Sequence, residues 1–172
     1  MAARSEATWE QKMERLRRRS LPERVLQICD DPARRTEYDE AKRTAARAQL
    51  LADSDPDNAP LAARATAAAE RYETAREAFD AASVSLRFRA LPRPVLEELI
   101  HAHPPTDPQT ADGAAFNPDT FPAALISASS TDGMTETEAR ELLDSWSAPE
   151  ANALWEAVWQ VQQESRADLG KD

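Results

Sequence analysis

Glycine is almost missing from this chain: three among 172 residues, at positions 113, 133 and 170. That scarcity leaves no place for a glycine-rich phosphate loop, and neither a dinucleotide fingerprint nor a nucleophile elbow is present. One cysteine, Cys29, cannot close an intrachain disulfide, so its default reading is a small buried hydrophobe in a reducing compartment. No stretch approaches the roughly 18–20 apolar residues of a membrane span, and the opening MAARSEATWEQ has no apolar signal core. The expectation is a soluble, cytoplasmic protein. Large aliphatics are scarce too. Leu, Ile, Val and Phe number 27, under the floor of about 20% usual for globular chains. A Rossmann sheet, a β-sandwich and a disulfide scaffold are all disfavoured.

Basic residues are lacking in the second half. Residues 94–172 hold 3 basic and 15 acidic side chains, against 18 and 16 in residues 1–93. An acidic half repels nucleic acid and anionic lipid and favours a basic protein partner. The change of composition divides the chain near residues 90–94. What is abundant is Ala, 34 residues, and Ala, Glu, Lys, Leu and Arg together make 87, the mark of long helices or coiled coil. There is no internal repeat.

Residues 1–19 read as a leader helix or disordered arm, with Trp9, Met13 and Leu16 at helical spacing and a basic end at Arg15–Arg19. Asp31-Pro32 supplies an N-cap and an N1 proline. Tyr38, Ala41, Ala45, Ala48 and Ala52 follow at spacings of three and four. Residues 53–60, rich in Asp and Pro, break the helix. Leu61, Ala65, Ala68, Tyr72, Ala75, Phe79 and Ala82 then repeat the pattern. Two seams of matching length, each about 33 Å, predict an antiparallel helical hairpin. An Ala seam stabilises weakly, because each methylene is worth only about 0.8 kcal/mol, so self-association or docking would complete it.

The hairpin brings its flanks together. Val84, Leu86, Phe88 and Ala90 alternate, and residues 24–29 are rich in β-favouring types, so a two-stranded ribbon is expected at the base, with a free edge for recruiting another chain. The competing reading makes Ser20-Leu21-Pro22-Glu23 a capping box that opens a helix through Cys29.

From Pro92 the pattern predicts a compact acidic unit with a four-helix core. Val95, Leu96, Leu99 and Ile100 form one face, ended by His103-Pro104-Pro105. A polar loop leads to Asn117-Pro118, expected as N-cap and N1 of a helix carrying Phe121, Ala124, Leu125 and Ala128. Capping boxes at Thr135–Glu138 and Ser147–Glu150 open the last two helices. Fold class is therefore mainly α: an Ala-rich helical hairpin with a short β ribbon, then a small helical bundle. The units are a leader (1–19), a strand–hairpin–strand segment (20–91), a helical domain (92–165) and a disordered tail (166–172).

Candidates for chemistry are few. His101 and His103, with Asp107 and Asp112 after them, read as metal ligands in a loop or as helix-end residues favoured by the dipole. Paired acids such as Glu97-Glu98 read as solvated faces. The expectation is no catalytic residue, no cofactor and no metal. Trp146, Trp155 and Trp159 either fill a core or form a partner patch, with Trp159 at its rim. Candidate partner-binding residues are Tyr38, Tyr72 and Phe79 on the hairpin, Leu86 and Phe88 on the ribbon, and Trp155 and Trp159 on the last helix. The run Arg15–Arg19 is a candidate DNA contact.

The run Leu86-Arg87-Phe88-Arg89-Ala90-Leu91-Pro92-Arg93, then His103-Pro104-Pro105-Thr106, then Phe116-Asn117 and Phe121-Pro122-Ala123-Ala124-Leu125-Ile126, resembles tail assembly chaperones of long-tailed, siphovirus-type actinobacterial phages. The resemblance covers about residues 20–165 and is strongest over 84–129. It implies a non-enzymatic role in the host cytoplasm: coating the long helical tape measure protein, keeping it soluble, helping tail-tube subunits polymerise around it, and leaving before the virion is finished. It also implies a frameshifted longer product, for which Gly170-Lys171 would mark a slippery run. The alternatives are a structural tail or head-completion protein kept in the virion, and a small regulatory DNA-binding protein.

Overall fold

The structure, a computed structural model, describes residues 7–166. Its order is α1 (Trp9–Arg17), β1 (Glu23–Cys29), α2 (Pro32–Ser54), α3 (Ala59–Ala81), β2 (Ser83–Arg89), α4 (Arg93–Ala102), α5 (Asp107–Ala111), α6 (Phe121–Ser129), α7 (Glu136–Ser145) and α8 (Ala148–Gln163). The protein is mainly α with one antiparallel two-stranded ribbon, β1–β2. The Arg166 end of the expected tail is described without regular structure, while 167–172, Gly170-Lys171 included, and residues 1–6 of the leader lie outside the described residues.

Two compact units result, one of residues 26–86, the other joining the described residues up to Val25 with those from Arg87 onward. The division falls inside both strands. Residues 24–29 are strand, and the helical alternative fails for a local reason. The Pro22 carbonyl accepts from Ala90 N–H at 2.9 Å, which holds the chain extended where a capping box would have turned it.

In the 26–86 unit, Asp31 Oδ1 accepts from the N–H groups of Ala33 and Arg34 at 2.9 and 3.1 Å and starts α2, with Pro32 at N1. Asn58 Oδ1 caps α3 through Leu61 N–H at 3.2 Å. The seam lies where the spacing puts it. Tyr38, Ala41, Ala45, Ala48 and Ala52 are the half-buried positions of α2, and Ala65, Ala68, Ala75 and Phe79 are buried on α3. Ala82 departs from the expected seam: it is exposed as the C-cap residue of α3. Gln27 Nε2 donates to Asp80 Oδ1 at 3.0 Å, tying β1 to the end of α3.

In the other unit α6 is central, with α4, α7 and α8 packed on it. Its sequence explains the position: Phe121, Ala123, Ala124, Leu125, Ile126 and Ser129 are buried, leaving almost no polar face. Phe88, Leu154, Val158 and Val161 complete the core. Three expectations change here. The polar loop after α4 contains a short helix, α5, opened by Thr106 N–H donating to Gln109 Oε1 at 2.9 Å. Asn117-Pro118 does not start α6; the Asn117 side chain accepts from Asp119 N–H at 2.9 Å in a turn, and the helix begins at Phe121 with Pro122 behind it. Ala128 is exposed. Between α6 and α7, Gly133 has φ +86°, a left-handed turn where a side chain would be strained.

Candidate functional site

The sequence candidates fall into two groups. In the 26–86 unit, Tyr38 stacks on Phe79 with centroids 4.6 Å apart and lies 5.7 Å from Tyr72. The Lys42 ammonium sits 5.7 Å from the Tyr38 ring, within cation–π range. Tyr72 is held above the ordinary tyrosine pKa, first by hydrogen bonding with the Tyr38 side chain, then by burial. Leu86 is half-buried. Beside this seam an open groove of about 1040 Å³ runs between α2 and α3, lined by Ala41, Ala67 and Ala68 and rimmed by Glu37, Glu40 and Glu70.

In the second unit Phe88 has no exposed surface and bridges to Ser130 as a short strand pair. It therefore belongs to the core and offers nothing to a partner in this state. The outer edge of β2 is also partly taken: Thr131 N–H donates to Arg87 O at 3.0 Å, and Arg87 N–H to Asp132 Oδ2 at 2.7 Å. The edge expected to be free is thus capped at this end.

Trp155 and Trp159 come together as one turn of α8 requires, stacked at 5.4 Å and half-buried. Phe116 and Phe121 pack against both, Phe116 lying 6.0 Å from Trp155 and 5.5 Å from Trp159. Sequence spacing could not place Phe116, because it sits in the irregular turn before α6. Trp146, also half-buried, ends α7 with its N–H on Leu142 O at 3.0 Å.

Beside Trp155 an open groove of about 760 Å³ is floored by Phe116, Pro122, Leu143 and Trp155, with Asp119 and Asp144 at its rim. Arg140, which also borders it, is engaged by Glu136 at 2.9 Å. Asp144 has no ion pair among the described residues. The groove offers a flat aromatic floor with negative charge at its margin, a surface suited to an apolar segment carrying a cation.

His103 Nδ1 is 2.9 Å from Thr120 Oγ1 and its ring meets Phe121 edge-on, so it joins α4 to the start of α6; His101 is exposed. Among the described residues no group of three or more His, Cys, Asp or Glu is gathered to hold a metal, and no helix is long and apolar enough to cross a membrane. Comparison with protein-family models, curated proteins and solved structures gives no match.

Proposed function

We propose that this protein is a non-enzymatic tail assembly chaperone of a long-tailed phage, which binds the tape measure protein in the host cytoplasm, keeps it soluble and promotes assembly of tail-tube subunits around it. The observation that carries the reading is the half-exposed Trp155–Trp159 stack beside an open apolar groove, on the Trp-bearing last helix through which the resemblance continues. A chaperone for a long helical client needs grooves that take apolar side chains without closing over them, because it has to let go. The Ala-lined groove of the hairpin supports the same reading: shallow methyl-lined surface binds weakly and releases readily.

The test is co-expression with a cognate tape measure protein. The client is expected in the soluble fraction and in the same purified complex, and the W155A/W159A variant is expected to return it to the insoluble fraction. A client equally insoluble with and without the wild-type chain would overturn the proposal. Mass spectrometry of purified particles separates the virion-component reading, which requires a stoichiometric signal in finished tails.

A further inference from the structure

Two surfaces of this chain are open and opposite in charge. Helix α1 buries none of its residues, and Trp9 and Leu16 on its apolar face are 70% and 50% exposed. Residues 7–19 carry five basic and two acidic side chains. Thr8 caps the helix, its side chain accepting from Gln11 N–H at 3.3 Å, so α1 is a formed element, and it has no buried residue. The groove beside Trp155 has the complementary properties: an aromatic and aliphatic floor, the Asp119 and Asp144 carboxylates at its rim, and a location in the half of the chain that holds 15 acidic and 3 basic residues.

We propose that the groove receives α1 of a second copy of this chain. Trp9, Met13 and Leu16, at positions i, i+4 and i+7, form the stripe by which an amphipathic helix enters an apolar groove. A cavity of about 760 Å³ accommodates an indole with room beside it. Lys12, Arg15 and Arg19 border the same apolar surface of α1, which places cations at the margin of the buried stripe, opposite Asp119 and Asp144. Among the described residues of one chain nothing covers either surface, and a second copy covers both. Each copy gives one leader and takes one: two copies that exchange leaders close a two-fold pair, and copies that pass them on to a third build rings or open chains. The Trp155 groove is the one the proposed chaperone role offers to its client, so leader and client compete for it. Sedimentation of the chain alone involves no tape measure protein, and its failure leaves the co-expression test standing.

Sedimentation equilibrium on the full chain at low salt tests it. The wild type is expected to gain average mass with concentration above the 19.0 kDa monomer, and to lose that gain as salt rises. Two variants separate the halves of the contact: W9A/L16A removes the leader's stripe, and D119K/D144K reverses the groove's rim. Each alone is expected to stay monomeric, with the helical circular dichroism of the wild type. Mixed in equal amounts they are expected to form a 1:1 heterodimer, because one supplies an intact leader and the other an intact groove, in a single working contact that cannot propagate. A mixture that stays monomeric, or a wild type that stays monomeric at every concentration, would overturn the proposal.

Discussion

Gln162 on α8 clamps the segment that follows β2: its side-chain oxygen accepts from Leu91 N–H at 2.8 Å while its nitrogen donates to Ser129 Oγ at 3.1 Å. The same nitrogen reaches Val158 O at 3.3 Å. Ser129 is the buried polar residue of this core, so one glutamine satisfies both a buried hydroxyl and the backbone at the start of the helical unit.

Replacing Gln162 by Leu should therefore destabilise by about 1–3 kcal/mol, because the Leu91 N–H and the Ser129 hydroxyl lose partners where water reaches them poorly. Urea unfolding reads this as a lower midpoint at unchanged slope. Gln162→Glu retains an acceptor for Leu91 and should recover part of the loss.

Leu154 has no exposed surface at the centre of the α6–α8 packing. Leu154→Ala should cost about 2–5 kcal/mol. Phe79→Ala removes the stacking partner of Tyr38 and a buried ring and should cost about 3–5 kcal/mol. Native-state hydrogen exchange distinguishes them: the first is expected to speed exchange in α6–α8, the second in α2 and α3.

Glu138 closes the capping box of α7, accepting from Thr135 N–H at 2.8 Å and from the Thr135 hydroxyl at 2.7 Å. Those bonds lower its pKa below the ordinary value of 4.5. A carboxylate with a depressed folded pKa stabilises the helix start above the unfolded pKa, and the contribution disappears as pH falls through the folded one. Amide exchange in the first turn of α7 is thus expected to accelerate as pH falls below about 4.5, beyond its intrinsic pH dependence. Glu138→Gln keeps a box without a titrating group and should flatten that response.

The chain has two tyrosines, so ultraviolet absorbance follows their ionisation directly. Tyr72 is expected to ionise above pH 10, first because of its hydrogen bonding with Tyr38 and then because of burial. The stability this gives is complete below the unfolded pKa and is lost as pH rises through the folded one. Tyr38→Phe should bring the midpoint of Tyr72 down toward 10, and an unchanged midpoint would show that the neighbouring hydroxyl is irrelevant.

The helical hairpin was legible almost residue by residue, because an a/d seam depends only on spacing and α2 and α3 keep it for six turns. The capping boxes at Thr135 and Ser147 were equally legible, since a box is a local device. The start of α6 was not. Asn117-Pro118 has the composition of a helix start, but the Asn117 side chain is occupied by Asp119 N–H in a turn and its carbonyl takes Phe121 N–H at 3.0 Å. Helix α5 carried its box, Thr106–Gln109, without the apolar run that makes such a box stand out. The groove beside Trp155 could not be read at all, because Phe116, Pro122, Leu143 and Trp155 meet only through the packing of α7 and α8 on α6. Phe88 shows the converse: alternation placed it on the inward face of its strand, and only the structure shows that face to be sealed.

The hairpin leaves the ribbon through one strand and returns through the strand paired with it, so its two ends are neighbours whatever lies between them. A segment with that property is a cassette. Seven residues added to α2 and seven to α3 would lengthen it by about 10 Å with the seam in register, and the ends that join it to β1 and β2 would stay paired. The length of the hairpin is thus a variable of its own, open to adjustment without parting its two ends.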